Sequence, residues 1–135
     1  MESEVVVDSN VFMKLLRFRQ DPARVLMDAY GLDGLAICGM IRLEVLRGLR
    51  EPRLFARISA LMDVMIHLPS DNRLWSDATH LAWKLDRQGM VIPSADVVIA
   101  ASALRIGAAV LTLDKHFQQI DGLRVIMPPA EWFGA

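Results

Sequence analysis

The chain has 135 residues and a formal net charge of −1, with 53% hydrophobic and 23% charged residues. This balance supports a sizeable core, and it excludes both disorder and the coating of nucleic acid by bulk positive charge. Apolar residues are dispersed among Arg, Asp and Glu, and acids rather than bases stand near the start. One soluble, cytoplasmic domain over residues 1–135, without membrane contact, is therefore the expectation.

The chain opens on Val5-Val6-Val7-Asp8-Ser9-Asn10. Three consecutive valines predict a strand buried on both faces, and Asp8 stands where that strand leaves the core. Ser9 and Asn10 are favoured helix N-caps, followed at helical spacing by Val11, Phe12, Leu15 and Leu16. Asp21-Pro22 supplies a cap and a first-turn proline for a second helix through Val25, Leu26 and Ala29. Leu35 to Cys38 is a short buried strand, and the lone cysteine is a buried structural thiol. A helix from about Met40 to Leu49 is broken at Glu51-Pro52, and another runs through Leu54, Phe55, Ile58, Leu61 and Met62.

Met65 to Leu68 is expected to be a strand. Asp71 or Asn72 caps the longest helix, with Leu74, Trp75, Ala78, Leu81, Ala82 and Leu85 facing inward. Ser94 is expected to cap the next helix, which places Asp96 in its first turn and ends at Gly107. Ala108 to Leu113 is a buried strand ending at Asp114, Lys115 to Ile120 a short helix, and Leu123 to Met127 a last strand before Pro128-Pro129. Trp75 and Trp83 are expected in the core or a dimer interface, and Trp132 and Phe133 over an edge or a partner surface. Strands alternating with helices imply right-handed βαβ units, hence an α/β sandwich with a mostly parallel sheet and helices on both faces.

Four acids occupy comparable places. Asp8 and Asp114 end strands, Asp96 opens a helix, and Glu44 is embedded among Ile41, Leu43, Val45 and Leu46. Each has a structural reading too: Asp8 and Asp114 as helix caps, Asp96 as a partner of the helix dipole, Glu44 paired with Arg42 or Arg47. Carboxylates in apolar surroundings are costly unless they share a cation, and a set of hard oxygens suits Mg²⁺ or Mn²⁺. The chain has no Cys/His cluster of zinc spacing, no Gly-rich phosphate loop and no nucleophile-elbow serine. Metal-assisted phosphodiester hydrolysis is the chemistry these residues support best.

The same segments resemble the PIN-domain ribonucleases, and most of all the VapC-type toxins of toxin–antitoxin systems. Val5–Val11 looks like the family's opening strand with its first acid, and Ile41–Gly48 like the helix carrying its Glu. Pro93–Ala103 resembles the third acidic motif and Leu111–Phe117 the fourth, in family order along almost the whole chain. The resemblance implies a three-layer α/β/α sandwich in which Asp8, Glu44, Asp96 and Asp114 surround one or two Mg²⁺ or Mn²⁺ ions. Asp8 and Asp96 would be direct ligands, while Glu44 and Asp114 would bind a second ion or act through water. The activity implied is endoribonuclease cleavage of RNA by a metal-activated water. Asn10 and Thr112 match positions that support the acids by hydrogen bonding.

In one respect the chain departs from the family, with His116 standing where many members carry a further acid. Arg47, Arg50, Lys115 and His116 are the candidates for contacting RNA, each with the alternative of an ordinary solvated position. The resemblance further implies a homodimer and a cognate antitoxin lying over the active-site groove. Two other functions fit parts of the pattern: a non-catalytic PIN-like module whose acids hold a partner's Arg or Lys, and a Mg²⁺-binding phosphotransfer domain of the receiver type.

Overall fold

Val5–Val7 form β1, the central strand of the sheet. The computed structural model describes residues 4–134. All three valines are buried, as expected of a β-branched run covered on both faces. β1 pairs in parallel with β2 (Leu35–Cys38) on one side and with β4 (Ala109–Leu111) on the other. β3 (Ile66–Leu68) continues beyond β2, and β5 (Val125–Ile126) beyond β4, giving an all-parallel order β3-β2-β1-β4-β5. The chain thus steps outward from β1 to β3, then returns to the far side of β1. The reversal lies between β1 and β4, where open parallel sheets gather ligands beyond their carboxyl ends. A receiver has the strand order 2-1-3-4-5, so the phosphotransfer reading fails on topology.

Among the described residues six helices flank this sheet: α1 (Ser9–Arg17), α2 (Pro22–Tyr30), α3 (Gly39–Arg47), α4 (Pro52–Val64), α5 (Asn72–Arg87) and α6 (Ser94–Ile106). None of the described helices is long and apolar enough to cross a membrane. The helix starts at Pro22 and Pro52 follow the rule that proline's missing N–H and fixed φ suit a first turn. Asp71 caps α5 by accepting from the Leu74 N–H at 2.9 Å, and its carboxylate also takes two bonds from Arg105 at the end of α6. These contacts hold Asp71 ionised, with its pKa lowered to about 2, the Arg105 hydrogen bonds contributing most.

At Gly107 the chain turns out of α6 with φ +68°, a left-handed conformation that an L side chain adopts only at a cost. No atom would clash with an added Cβ there. Gly107→Ala is therefore expected to lower stability by about 1 kcal/mol through backbone strain alone, a drop of a few degrees in Tm measurable by calorimetry.

Several local expectations need correction. Asp8, not Ser9 or Asn10, is the N-cap of α1; its buried carboxylate accepts the Ser9 N–H, which leaves Ser9 and Asn10 inside the first turn. α6 begins at Ser94 itself, with Pro93 in the cap position and no side-chain cap, because proline's φ of −53° already sets the approach to the helix. β4 ends at Leu111 rather than Leu113. The Leu113 N–H is taken by Asn10 Oδ1 and the Asp114 N–H by Thr112 Oγ1, so side chains replace the ladder and the chain leaves the sheet.

Trp75 is 48% exposed, not inward, and Trp83 is 61% exposed. α5 buries only a narrow stripe of Leu74, Ala78 and Leu85 against α6. After Pro128-Pro129 the chain continues into a 3-10 turn at Ala130–Phe133. There Phe133 is buried against Phe18, with Lys14 Nζ 4.3 Å from its ring centre, so the end of the described chain covers α1.

Candidate active site

The site begins where β1 delivers Asp8 into the switch point. Its side chain is only 3% exposed, yet both oxygens are engaged. Oδ1 accepts the Ser9 N–H at 2.8 Å, and Oδ2 accepts Thr112 Oγ1 at 2.7 Å and Asn10 Nδ2 at 3.2 Å. Asn10 also donates to Thr112 Oγ1 and accepts the Leu113 N–H, while Thr112 Oγ1 accepts the Asp114 N–H. Asn10 and Thr112 therefore lock the exit of β1 to the loop after β4, and Asp8 and Asp114 are positioned by the same hydroxyl. Burial raises the Asp8 pKa above the ordinary carboxylate value, the bonds from Thr112 and Ser9 oppose this, and the Asp114 charge adds to the rise.

Glu44 enters from α3. Its Oε1 is fully buried and has no hydrogen-bond partner among the described residues. Burial raises its pKa, the Asp8 charge raises it further, and the Ser9 hydroxyl draws it partly back. Asp96 enters from the first turn of α6. Its pKa is raised to about 6, first by burial and then by the charges of Asp8, Asp114 and Glu44, with His116 opposing. One carboxylate thus feels the other three, so the four acids lie near one another although they come from separate elements.

Asp114 is the N-cap of a 3-10 turn over Lys115–Gln119, accepting the His116 N–H at 2.9 Å. The ligand atoms of Asp96, Asp114 and His116 lie within 4.8 Å of one another. Among the described residues no Lys or Arg forms an ion pair with Asp8, Glu44, Asp96 or Asp114. Clustered carboxylates with an orphaned buried oxygen and no paired Lys or Arg are electrostatically unfavourable, and their hard oxygens are the donors that Mg²⁺ and Mn²⁺ prefer. The residues fit a divalent ion.

The basic candidates are placed differently. Arg47 is exposed on α3 and lines a shallow groove with Arg42, Leu43, Leu46 and Phe55. Arg50 and Lys115 are exposed, and neither forms an ion pair among the described residues. The pairing of Arg42 with Glu44 does not form. Arg42 instead binds Ser59 and Asp63 of α4, at 2.8 Å each, which leaves the Glu44 carboxylate to the acid cleft. Ser9 is a site residue that the sequence does not single out. Its hydroxyl lies 3.5 Å from Asp8 Oδ1 and also acts on Glu44, and its only sequence signal is its place directly after Asp8.

The PIN-domain profile matches residues 5–123. The chain belongs to the PIN-domain family. Solved structures share the architecture. A chain of DNA-bound VapBC from Salmonella typhimurium superposes with TM-score 0.79 at 18% identity, covering 93% of this PIN domain and 98% of its own length. VapBC2 from Rickettsia felis, bound to a DNA fragment from its promoter, gives TM-score 0.76 at 15% identity with 91% and 97% coverage. VapBC-1 from nontypeable Haemophilus influenzae gives 0.72 at 22% identity with 91% and 96% coverage. No curated protein sequence matches this PIN domain.

Proposed function

We propose that this PIN domain is a divalent-metal-dependent endoribonuclease and the toxin of a toxin–antitoxin pair. The observation that carries the reading is the buried, partnerless Glu44 Oε1 beside Asp8, Asp96 and Asp114, with no Lys or Arg among the described residues paired to any of the four acids. Asp8 and Asp96 would hold the ion directly, with Glu44 and Asp114 holding a second ion or acting through water. Mg²⁺ or Mn²⁺, when bound, supplies Lewis-acid stabilisation of phosphoryl charge and lowers the pKa of water.

The protein's own part is to hold the carboxylates in place. Thr112 and Asn10 fix Asp8, and Thr112 fixes the Asp114 main chain. Burial keeps the carboxylates poorly solvated, which strengthens their hold on a cation. Arg47, Arg50 and Lys115, which form no ion pair among the described residues, are the side chains that would meet RNA phosphates and set the strand beside the acids.

An antitoxin partner is supported by the VapBC complexes that share the fold. The groove of about 430 Å³ between α3 and α4, with Leu43 and Phe55 exposed beside the Glu44 helix, offers it an apolar seat. A homodimer is supported by Trp75 and Trp83, two large apolar side chains exposed on the same helix. Wild type is expected to sediment as a dimer, and Trp75→Glu combined with Trp83→Glu as a monomer. A dimer surviving both changes would move the interface elsewhere.

The function is tested by comparing wild type with Asp96→Asn on structured RNAs in Mg²⁺, in Mn²⁺ and in EDTA. Cleavage that requires the ion and is lost in the variant supports the reading. Equal cleavage by both proteins defeats it. Absence of both cleavage and ion binding would instead assign the acids to holding a partner's Arg or Lys.

A further inference from the structure

His116 is half-exposed but not free. Its main-chain N–H and its ring Nδ1 both reach the same oxygen, Asp114 Oδ1, at 2.9 and 3.0 Å. Nδ1 and Oδ1 thus stand at about the separation of two adjacent ligands of one divalent ion. The ligand atoms of Asp96, Asp114 and His116 lie within 4.8 Å of one another. With bonds of about 2.1 Å, two ligands of one ion are about 3 Å apart when adjacent and about 4.2 Å when opposite, so only a small contraction would seat an ion among the three.

We propose that His116 is a nitrogen ligand of the bound cation, and that it shifts the cleft's preference from Mg²⁺ towards Mn²⁺ and the later divalent transition ions. This rests on the metal-binding reading above. A neutral imidazole replaces the anionic oxygen expected at this place. The set loses a unit of negative charge, on which Mg²⁺ depends, and gains a donor whose advantage grows along the series from Mn²⁺ to Co²⁺ and Ni²⁺. His67 and His80 cannot substitute. They stand on β3 and α5 with a ring nitrogen each on the main-chain carbonyls of Met62 and Ser76.

The test uses ion-free full-length protein loaded with Mn²⁺, Co²⁺ or Mg²⁺, in wild type, His116→Ala and His116→Asp. Pulsed electron paramagnetic resonance of the Mn²⁺ protein is expected to show coupling to ¹⁴N in wild type and none in either variant. Titration calorimetry is expected to show the Co²⁺-to-Mg²⁺ affinity ratio falling by about tenfold in His116→Asp, the size of effect typical for altering one group around a metal. Mn²⁺ binding without ¹⁴N coupling in wild type, or an unchanged affinity ratio, would overturn the role of His116 while leaving the metal site standing. No binding of any of the three ions would overturn the metal-binding reading itself.

Discussion

Asp96→Asn is expected to abolish RNA cleavage and, in the same protein, to raise the Tm of the ion-free form. The two effects have one cause. Asp96 is held charged near Asp8, Asp114 and Glu44 in partly buried surroundings, and each neighbour raises its pKa. Asparagine keeps the shape, removes the repulsion, and removes a ligand that a cation would need. Loss of such a ligand should cost at least about a hundredfold in rate. The gain in ion-free stability should be on the order of 1 kcal/mol, allowing for solvent screening at a partly exposed position, or a few degrees in Tm.

The pH dependence has a definite sign. The folded pKa of Asp96 is about 6 against an unfolded value near 3.8, so between these values the folded protein retains a proton that the unfolded chain has lost. Stability contributed by this group therefore falls as pH rises from about 4 to about 6, and stays low above that. The raised values at Asp8 and Glu44 act in the same direction. Scanning fluorimetry should find the Tm difference between the two proteins larger at pH 7.5 than at pH 4.5, and Mn²⁺ should raise the Tm of wild type alone. A variant melting below wild type at pH 7.5 would refute this account of the acid cluster.

Thr112→Val should damage both stability and activity, although it changes almost no volume. The hydroxyl is fully buried and makes three hydrogen bonds, donating to Asp8 Oδ2 and accepting from the Asp114 N–H and Asn10 Nδ2. A methyl group in its place leaves a buried carboxylate short of a donor and a main-chain N–H short of an acceptor. Together these should cost about 2–3 kcal/mol. Asp8 and Asp114 would also lose their common anchor, with an expected fall in cleavage of about 10- to 100-fold.

Thr112→Ser is the control. It retains all three bonds and loses one buried methyl, at about 1 kcal/mol, with cleavage close to wild type. If valine and serine variants melted and cleaved alike, the hydroxyl would have no positioning role.

Features set by neighbours in the chain are legible in the sequence alone. The buried run Val5–Val7, the proline-started helices at Pro22 and Pro52 and the glycine stop at Gly107 follow from period, capping and φ preference within a few residues. So does the placing of each acid at the end or first turn of an element, or on a helix. Where the structure departs from those expectations the change is local, but its cause is distant. β4 stops early because Asn10 captures the Leu113 N–H across a separation of 103 residues. Trp75 is exposed because the contact with α6 needs only a narrow stripe of α5.

The meeting of the four acids is of that second kind. Thr112 and Asp8 are 104 residues apart in the chain, yet share a 2.7 Å bond because β1 lies beside β4 in the sheet. No window of sequence encodes that pairing, which depends on the strand order and on the burial of both faces. Residue types and their local backbone are chosen by short-range sterics and hydrogen bonding. Which charges repel and which oxygen is left without a partner are set by long-range packing.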